Sequence, residues 1–360
     1  MFDVYGEQNL FTFASVKAHS ERKKLLAYSY SKSSILKFAS QAVSRKVWDF
    51  MDLLEREPTV GSEIFGSLHY FALDNITEFL YGRYGKTEAL KSEVDRGMIG
   101  DILDPKRRKL AWFACHLPRY TKFLMSRTGR AQKVVSKLGL LPQKKPTVYT
   151  GIRNHGLKAW ESFKASQTKE KETKGNTVLE TLWESHESVQ KGIDGLTDME
   201  IASEAADHLL AGVDTTSDTL MFLIWALSMP ENSQYQEKLI KEVRAILAAD
   251  LDERGPPTTD VAGKLEYLDA VLKETLRLYA PLPASEPRSL PVESVIERFR
   301  IPAKTVVSMS PYTLHRNPDV FPNPLVFNPE RWLGDPMEVT EMKKWFWAFS
   351  SGGRMCIGIQ

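Results

Sequence analysis

The chain has 360 residues, with 48 Lys and Arg against 46 Asp and Glu for a formal net charge of +2, and it is 42% hydrophobic and 26% charged. Apolar material for a core is therefore ample, which excludes wholesale disorder, and a nucleic-acid binder relying on bulk positive charge is disfavoured. Two cysteines, Cys115 and Cys356, allow at most one disulfide, so a disulfide-stapled secreted scaffold is excluded as well.

The opening MFDVYGEQNLFTF lacks the basic start and apolar stretch of a secretory signal. Residues 17–57 carry Leu25, Leu26, Ile35, Leu36, Phe38, Val43 and Val47 at helical spacings, and 61–81 repeats the pattern through Ile64, Leu68, Phe71 and Phe79. Residues 166–176 are charged and hold no hydrophobic side chain, which predicts a solvated linker. Helices are expected over 197–228 and 232–249. The longest apolar run, Leu220 to Met229, is about half of the roughly 20 residues a spanning helix needs, and Pro230 closes it, so it reads as a core helix. Gly255-Pro256-Pro257 breaks any helix across 250–260, and another is expected over 261–279. Beyond Pro281, the runs around Val295–Ile296, Phe299–Ile301 and Val306–Val307 predict short strands. Pro311, Pro318, Pro322, Pro324 and Pro329 predict a long coil over 311–334. No internal repeat is present. The fold class is mainly α with a minor β element.

Four segments carry chemistry. In Phe349–Gly358 (FSSGGRMCIG), Gly352 and Gly353 permit a tight turn and Gly358 lets a flat group approach. Arg354 sets a fixed cation two residues from the Cys356 sulfur, suited to a carboxylate, and N–H groups of such a turn stabilise a thiolate. This set suits an iron porphyrin with Cys356 as axial ligand, Arg354 on a propionate and Gly358 clearing the macrocycle. The rival metal, zinc, needs about four ligands, and no second cysteine is near. Cys115, without such company, reads as a small buried hydrophobe.

Glu274 and Arg277 in ETLR lie on one helix face, either as an ordinary surface pair or, given Leu272, Leu276 and Leu278 around them, as a partly buried one. Phe327–Trp332 (FNPERW) is either a surface coil with an aromatic anchor or a segment whose Arg331 joins Glu274 and Arg277. Ala211–Thr216 (AGVDTT) places glycine and two threonines inside an apolar helix, where they are locally unfavourable. It is either a tolerated irregularity or an opening of the helix, with hydroxyls bonding carbonyls and a groove for dioxygen and water, and with Asp214 and Thr215 handling protons.

In the order AGVDTT, ETLR, FNPERW, FSSGGRMCIG, the four segments resemble the cytochrome P450 family of haem-thiolate monooxygenases. The texture is closest to eukaryotic, fungal-type microsomal members. The resemblance implies a single cytochrome P450 domain over 1–360, incomplete at both ends: a membrane anchor, early helices and most of a β-sheet are expected before it, and most of the helix after the cysteine is absent. It implies haem b (iron protoporphyrin IX) on Cys356, with Phe349, Gly352 and Gly358 in the cofactor loop. Thr215 becomes the distal threonine and Asp214 its acidic neighbour. Glu274, Arg277 and Arg331 form a structural network. Arg354 and Arg288 bind propionates, with His19 and Arg22 on a helix giving a third such contact. A thiolate ligand favours O–O cleavage.

The expected activity is insertion of one oxygen atom of O2 into a small apolar substrate, in secondary metabolism or detoxification. Electrons would come from NADPH through a separate flavoprotein reductase meeting basic residues such as Lys343, Lys344 and Arg354. The expected location is the cytosolic face of the endoplasmic reticulum membrane. The alternatives are a non-catalytic remnant without haem, and a haem protein that rearranges a peroxide. Residues 110–150, Phe222, Leu282 and Ala284 are the expected substrate determinants.

Overall fold

The computed structural model describes residues 6–56, 61–100, 147–167, 177–190 and 195–360, together with 116, 117, 119 and 138. Cys115, nearly all of 110–146 and residues 168–176 of the expected linker lie outside the described residues. The longer helices are α1 (Val16–Leu26), α2 (Lys32–Phe38), α3 (Ser40–Arg56), α4 (Ile64–Tyr81), α5 (Thr147–Gln167), α6 (Val178–Gln190), α7 (Asp198–Ser228), α8 (Ser233–Arg244), α9 (Glu266–Leu278) and α10 (Pro336–Trp345). No helix among the described residues is long and apolar enough to cross a membrane.

The chain divides into two compact units, residues 1–217 with 360, and 218–359. In the first, polar residues start the helices. Ser15 and Ser31 cap α1 and α2, accepting from Ala18 and Ser34 N–H. Glu63 caps α4 through both carboxylate oxygens, and α4 ends at Gly82, whose φ of 52° suits glycine. α6 and α7 each begin with a reciprocal box: Thr177 with Glu180, and Thr197 with Glu200, each threonine Oγ1 accepting the glutamate N–H at 3.3 Å. Leu26, Leu73, Leu80, Tyr81, Trp160, Phe163, Leu179, Leu182, Ile201 and Leu209 fill the core. The Tyr81 hydroxyl donates to the Ala205 carbonyl of α7 at 3.1 Å, so even a polar core atom is satisfied.

In the second unit, Ala226, Leu227, Tyr235, Val271, Leu278 and Phe327 form one apolar cluster, and Ala270, Phe321, Trp332 and Met342 another. The expected helix over 261–279 is corrected: a single turn, Thr259–Ala262, precedes α9, which begins at Glu266. The break holds because Glu242 of α8 accepts the N–H groups of Tyr267 (2.7 Å) and Leu268 (2.9 Å), a cap that α9 lacks locally. Two antiparallel pairs follow: β1 (Glu286–Ser289) with β4 (Val306–Met309), and β2 (Ser294–Ile296) with β3 (Phe299–Ile301). The sequence EPRS of β1 is polar and contains Pro287, so periodicity alone did not disclose it.

Candidate functional site

The second unit holds the ETLR, FNPERW and cysteine segments. Glu274 and Arg277 are fully buried, and the Glu274 carboxylate accepts from Arg277 Nε (2.9 Å) and Nη2 (2.8 Å), Arg331 Nε (3.1 Å), Asn328 N (2.9 Å) and Trp332 Nε1 (3.1 Å). Arg277 donates onward to the carbonyls of His315, Pro324 and Val326, and Arg331 to those of Pro322 and Val326. Two guanidiniums thus convert a proline-rich coil, which cannot satisfy its own carbonyls, into a fixed surface around α9. The like charges tolerate one another because one fully coordinated carboxylate lies between them.

His315 was not singled out by the sequence. It is fully buried, its Nδ1 lies 3.0 Å from the Arg277 carbonyl, and its Nε2 accepts the Trp347 N–H at 2.6 Å. These two contacts make Nδ1 the protonated nitrogen. Burial, opposed by the bond to the Arg277 carbonyl and reinforced by the Arg277 and Arg316 charges, lowers its pKa to about 4. The only signal in the sequence is a histidine set among prolines, too common to be read alone.

From Trp347 the chain enters the cysteine loop. Ser350 N–H bonds to the Trp347 carbonyl at 3.0 Å and Cys356 N–H to the Phe349 carbonyl at 2.8 Å. Between them Ser350 and Gly352 adopt φ of 61° and 66°, and Gly352–Arg354 forms a single 3-10 turn. Cys356 is exposed. Cβ atoms built at Gly352 and Gly353 meet nothing within 4 Å, and at Gly358 only Cys356 Sγ at 3.8 Å. The protein's own packing therefore does not demand glycine at 353 or 358, whereas a flat group lying on the loop would. The Arg354 pKa is lowered by burial and then by the charge of Arg288, so two cations share one neighbourhood. Arg288 pairs with Glu286 at 2.9 Å. An anion between the two arginines relieves their repulsion, and a haem propionate has that charge. These residues fit a haem. Among the described residues no group of three or more His, Cys, Asp or Glu could hold a metal ion.

The first unit holds α1 and most of α7. Thr215 Oγ1 donates to the Ala211 carbonyl at 2.7 Å. The expected opening of the helix is corrected: α7 stays α-helical through 211–216, since Thr215 adds its bond to a carbonyl without removing the main-chain partner. Gly212 has a packing reason, because a Cβ there would lie 2.6 Å from Ile76 Cγ1 of α4. Asp214 and Thr215 are half-buried.

Arg22 and His19 are buried on α1, and Arg22 pairs with Glu204 of α7 and approaches Glu200 at 3.7 Å. His208 Nε2 meets Glu204 at 3.0 Å, and its Nδ1 meets the Tyr30 hydroxyl. The Arg22 guanidinium therefore serves the contact between α1 and α7 in this structure rather than an outside anion. Sequence reading missed this cluster; an Asp-His pair, Asp207-His208, in a largely apolar helix is the signal that could have found it. Phe222 stacks on Tyr279 (5.0 Å, 12°), while Leu282 and Ala284 are exposed.

Within the second unit, a buried Glu-Arg-Arg network stands with a glycine turn that presents a cysteine, an arrangement suited to a haem-thiolate class of protein. Residues 2–360 match the family model described as Cytochrome P450, and the chain belongs to that family. Cytochrome P450 monooxygenase tazI of Aspergillus terreus is 30% identical, covering 98% of this chain and 66% of that protein. Cytochrome P450 monooxygenase aflV of Aspergillus parasiticus is 27% identical over 98% of this chain and 65% of that protein. The crystal structure of cytochrome P450DA heme domain superimposes with a TM-score of 0.73 at 17% identity, covering 98% of this chain and 70% of that one, and shows the fold. The fold is thus the mainly helical one of this family with a few strands. The chain spans less than two thirds of the length of the curated relatives it matches.

Proposed function

We propose that the protein represented by this chain is a haem-thiolate monooxygenase inserting one oxygen atom of O2 into a small apolar organic molecule. The observation that carries this is the cysteine loop: an exposed Cys356 on a turn whose glycines face open space, with Arg354 and Arg288 in one neighbourhood. Residues 1–360 are read as one partial domain. Haem b, when bound, supplies the oxygen activation and electron transfer that no side chain provides.

The residues divide the remaining work. Cys356 would hold the iron through its thiolate, whose charge N–H groups of its turn would stabilise. Phe349, Gly352 and Gly358 would shape the loop surface offered to the cofactor. Arg354 and Arg288 would hold propionates, whereas Arg22 is engaged by Glu204 and His19 is buried on the same helix α1. Thr215 keeps its hydroxyl proton on the Ala211 carbonyl, which leaves its oxygen to accept and hold a water, and Asp214 exchanges protons with it. Glu274, Arg277 and Arg331 keep the loop in place.

Electrons would reach the haem from NADPH through a separate flavoprotein reductase, with Lys343 and Lys344 on an exposed helix end as basic contacts. The resemblance to fungal-type members, two Aspergillus monooxygenases among the relatives, motivates a role in secondary metabolism or detoxification and residence on the cytosolic face of the endoplasmic reticulum. The test is spectroscopic. After haem loading, the reduced protein with carbon monoxide should show the thiolate-ligated Soret band, absent in Cys356→Ala. Thr215→Ala should retain the band yet consume O2 without matching product. A chain that takes up no haem, or a Soret band indifferent to Cys356→Ala, overturns the reading.

A further inference from the structure

α10 ends at Trp345, and the next residue, Phe346, is extended with φ of −78° and ψ of 103°. That turn takes the Trp347 N–H off the helical ladder and hands it to a side chain, Nε2 of His315. Two more main-chain bonds carry the chain to the cysteine: Ser350 N–H to the Trp347 carbonyl, and Cys356 N–H to the Phe349 carbonyl. The first of these three links is made by one imidazole. A loop with two positive-φ residues, Ser350 and Gly352, hangs from it.

The ring itself has little freedom. It is fully buried, stacks on Phe346 (5.4 Å, 12°), meets Phe321 edge-on (6.4 Å, 72°), and donates from Nδ1 to the Arg277 carbonyl at 3.0 Å. The charged groups facing it are Arg277 and Glu274 of α9 and Arg316 of its own segment. The end of α10 and the proline coil present the rings of Phe346 and Phe321. Burial disfavours a second proton on the imidazole, and the Arg277 and Arg316 charges disfavour it further, outweighing the carbonyl bond and Glu274. Such a proton on Nε2 would also meet the Trp347 N–H donor to donor, so the loop's first link requires the neutral ring.

We propose that His315 is a positioning residue for the thiolate: its neutral Nε2 holds the entry of the cysteine loop so that Cys356 stays presented to the iron of a bound haem. The proposal rests on the monooxygenase reading and adds to it a residue that touches neither cofactor nor substrate. In acid, one solvent proton goes onto Nε2 and the bond to Trp347 is lost. The released loop then gives up its sulfur, which takes a second solvent proton as it leaves the iron. With a folded pKa of about 4, the ring is about 1% protonated at pH 6 and half protonated at pH 4, which sets the window of that loss.

The test uses the full chain with and without loaded haem. In the haem-free chain at pH 7, hydrogen exchange of the Trp347 amide should quicken roughly tenfold in His315→Asn, whose shorter amide reaches only the Nδ1 place. It should stay within about twofold in His315→Gln, whose amide oxygen reaches the Nε2 place and takes no proton. In the loaded chain, the carbon monoxide Soret band of the thiolate should fade between pH 6 and 4, before the far-UV circular dichroism changes. His315→Gln should hold the band to a pH at least one unit lower, and His315→Asn should show it reduced already at pH 7. The proposal is overturned if the wild-type chain and His315→Gln lose the band at the same pH, if the band goes only together with the circular dichroism, or if Trp347 exchange is unchanged in His315→Asn. Should a variant fail to fold, the separation of the two transitions in the wild-type chain decides alone. A chain that takes up no haem, but whose Trp347 exchange follows the variants as stated, sinks the monooxygenase reading and leaves His315 holding the loop.

Discussion

His315 accepts the backbone N–H of Trp347 through Nε2 at 2.6 Å, and that bond ties the approach to the cysteine loop onto the buried network of α9. The imidazole also stacks on Phe346 at 5.4 Å, so its position is set from both the edge and the face. A histidine held neutral in this way has consequences for stability.

Stability should fall on acidification through this residue. The folded pKa of about 4 lies below the ordinary 6.5, so the unfolded chain binds a proton that the folded chain refuses. The stabilisation is present above pH 6.5 and is lost progressively as pH falls towards 4, by about 3 kcal/mol in all. Urea unfolding between pH 7 and 4 should show that slope, and His315→Gln should flatten it. An identical slope in the variant counts against the assignment.

Removing the shared carboxylate should cost more than removing either arginine. Glu274→Ala leaves Arg277 buried and uncompensated with Arg331 beside it, for a loss of about 3–5 kcal/mol. Arg331→Ala, which leaves Glu274 paired with Arg277, should cost less. Denaturant midpoints of the two variants give the order directly, and equal losses would contradict the network as drawn.

Gly212→Val should destabilise the first unit by roughly 1–3 kcal/mol, since even a Cβ lands 2.6 Å from Ile76 Cγ1. Ile76→Ala in the same chain should recover part of that loss. A double-mutant cycle on melting temperatures measures the coupling, and strictly additive effects would place the clash elsewhere.

Ser350→Gly should raise stability by up to about 1 kcal/mol. The residue has φ of 61°, where glycine carries no steric penalty, and among the described residues its buried Oγ finds no hydrogen-bond partner, so deletion removes two unfavourable features. Chemical denaturation checks the sign, with Ser350→Ala, which keeps the strain, gaining less.

Helix start sites were legible where chemistry is local. Thr177 with Glu180 and Thr197 with Glu200 are spaced for a reciprocal cap, and α7 over Asp198–Ser228 falls within one residue of the expected 197–228. The start of α9 was not legible, because its cap, Glu242, comes from another helix 24 residues earlier. The strand EPRS was hidden because its partner in sequence, Val306–Met309, supplies the apolar half of the pair.

Chemical identity along a short stretch is a property of the chain itself, so the order of AGVDTT, ETLR, FNPERW and FSSGGRMCIG was enough to point to the family before any coordinate was known. Folding decided the assignments that depend on what stands opposite. Arg22 faces Glu204, Gly212 receives Ile76, His315 is stripped of water, and His208 is shared between Glu204 and Tyr30. Burial and partner are pairwise, long-range quantities, and a linear pattern carries no record of them until the helices pack.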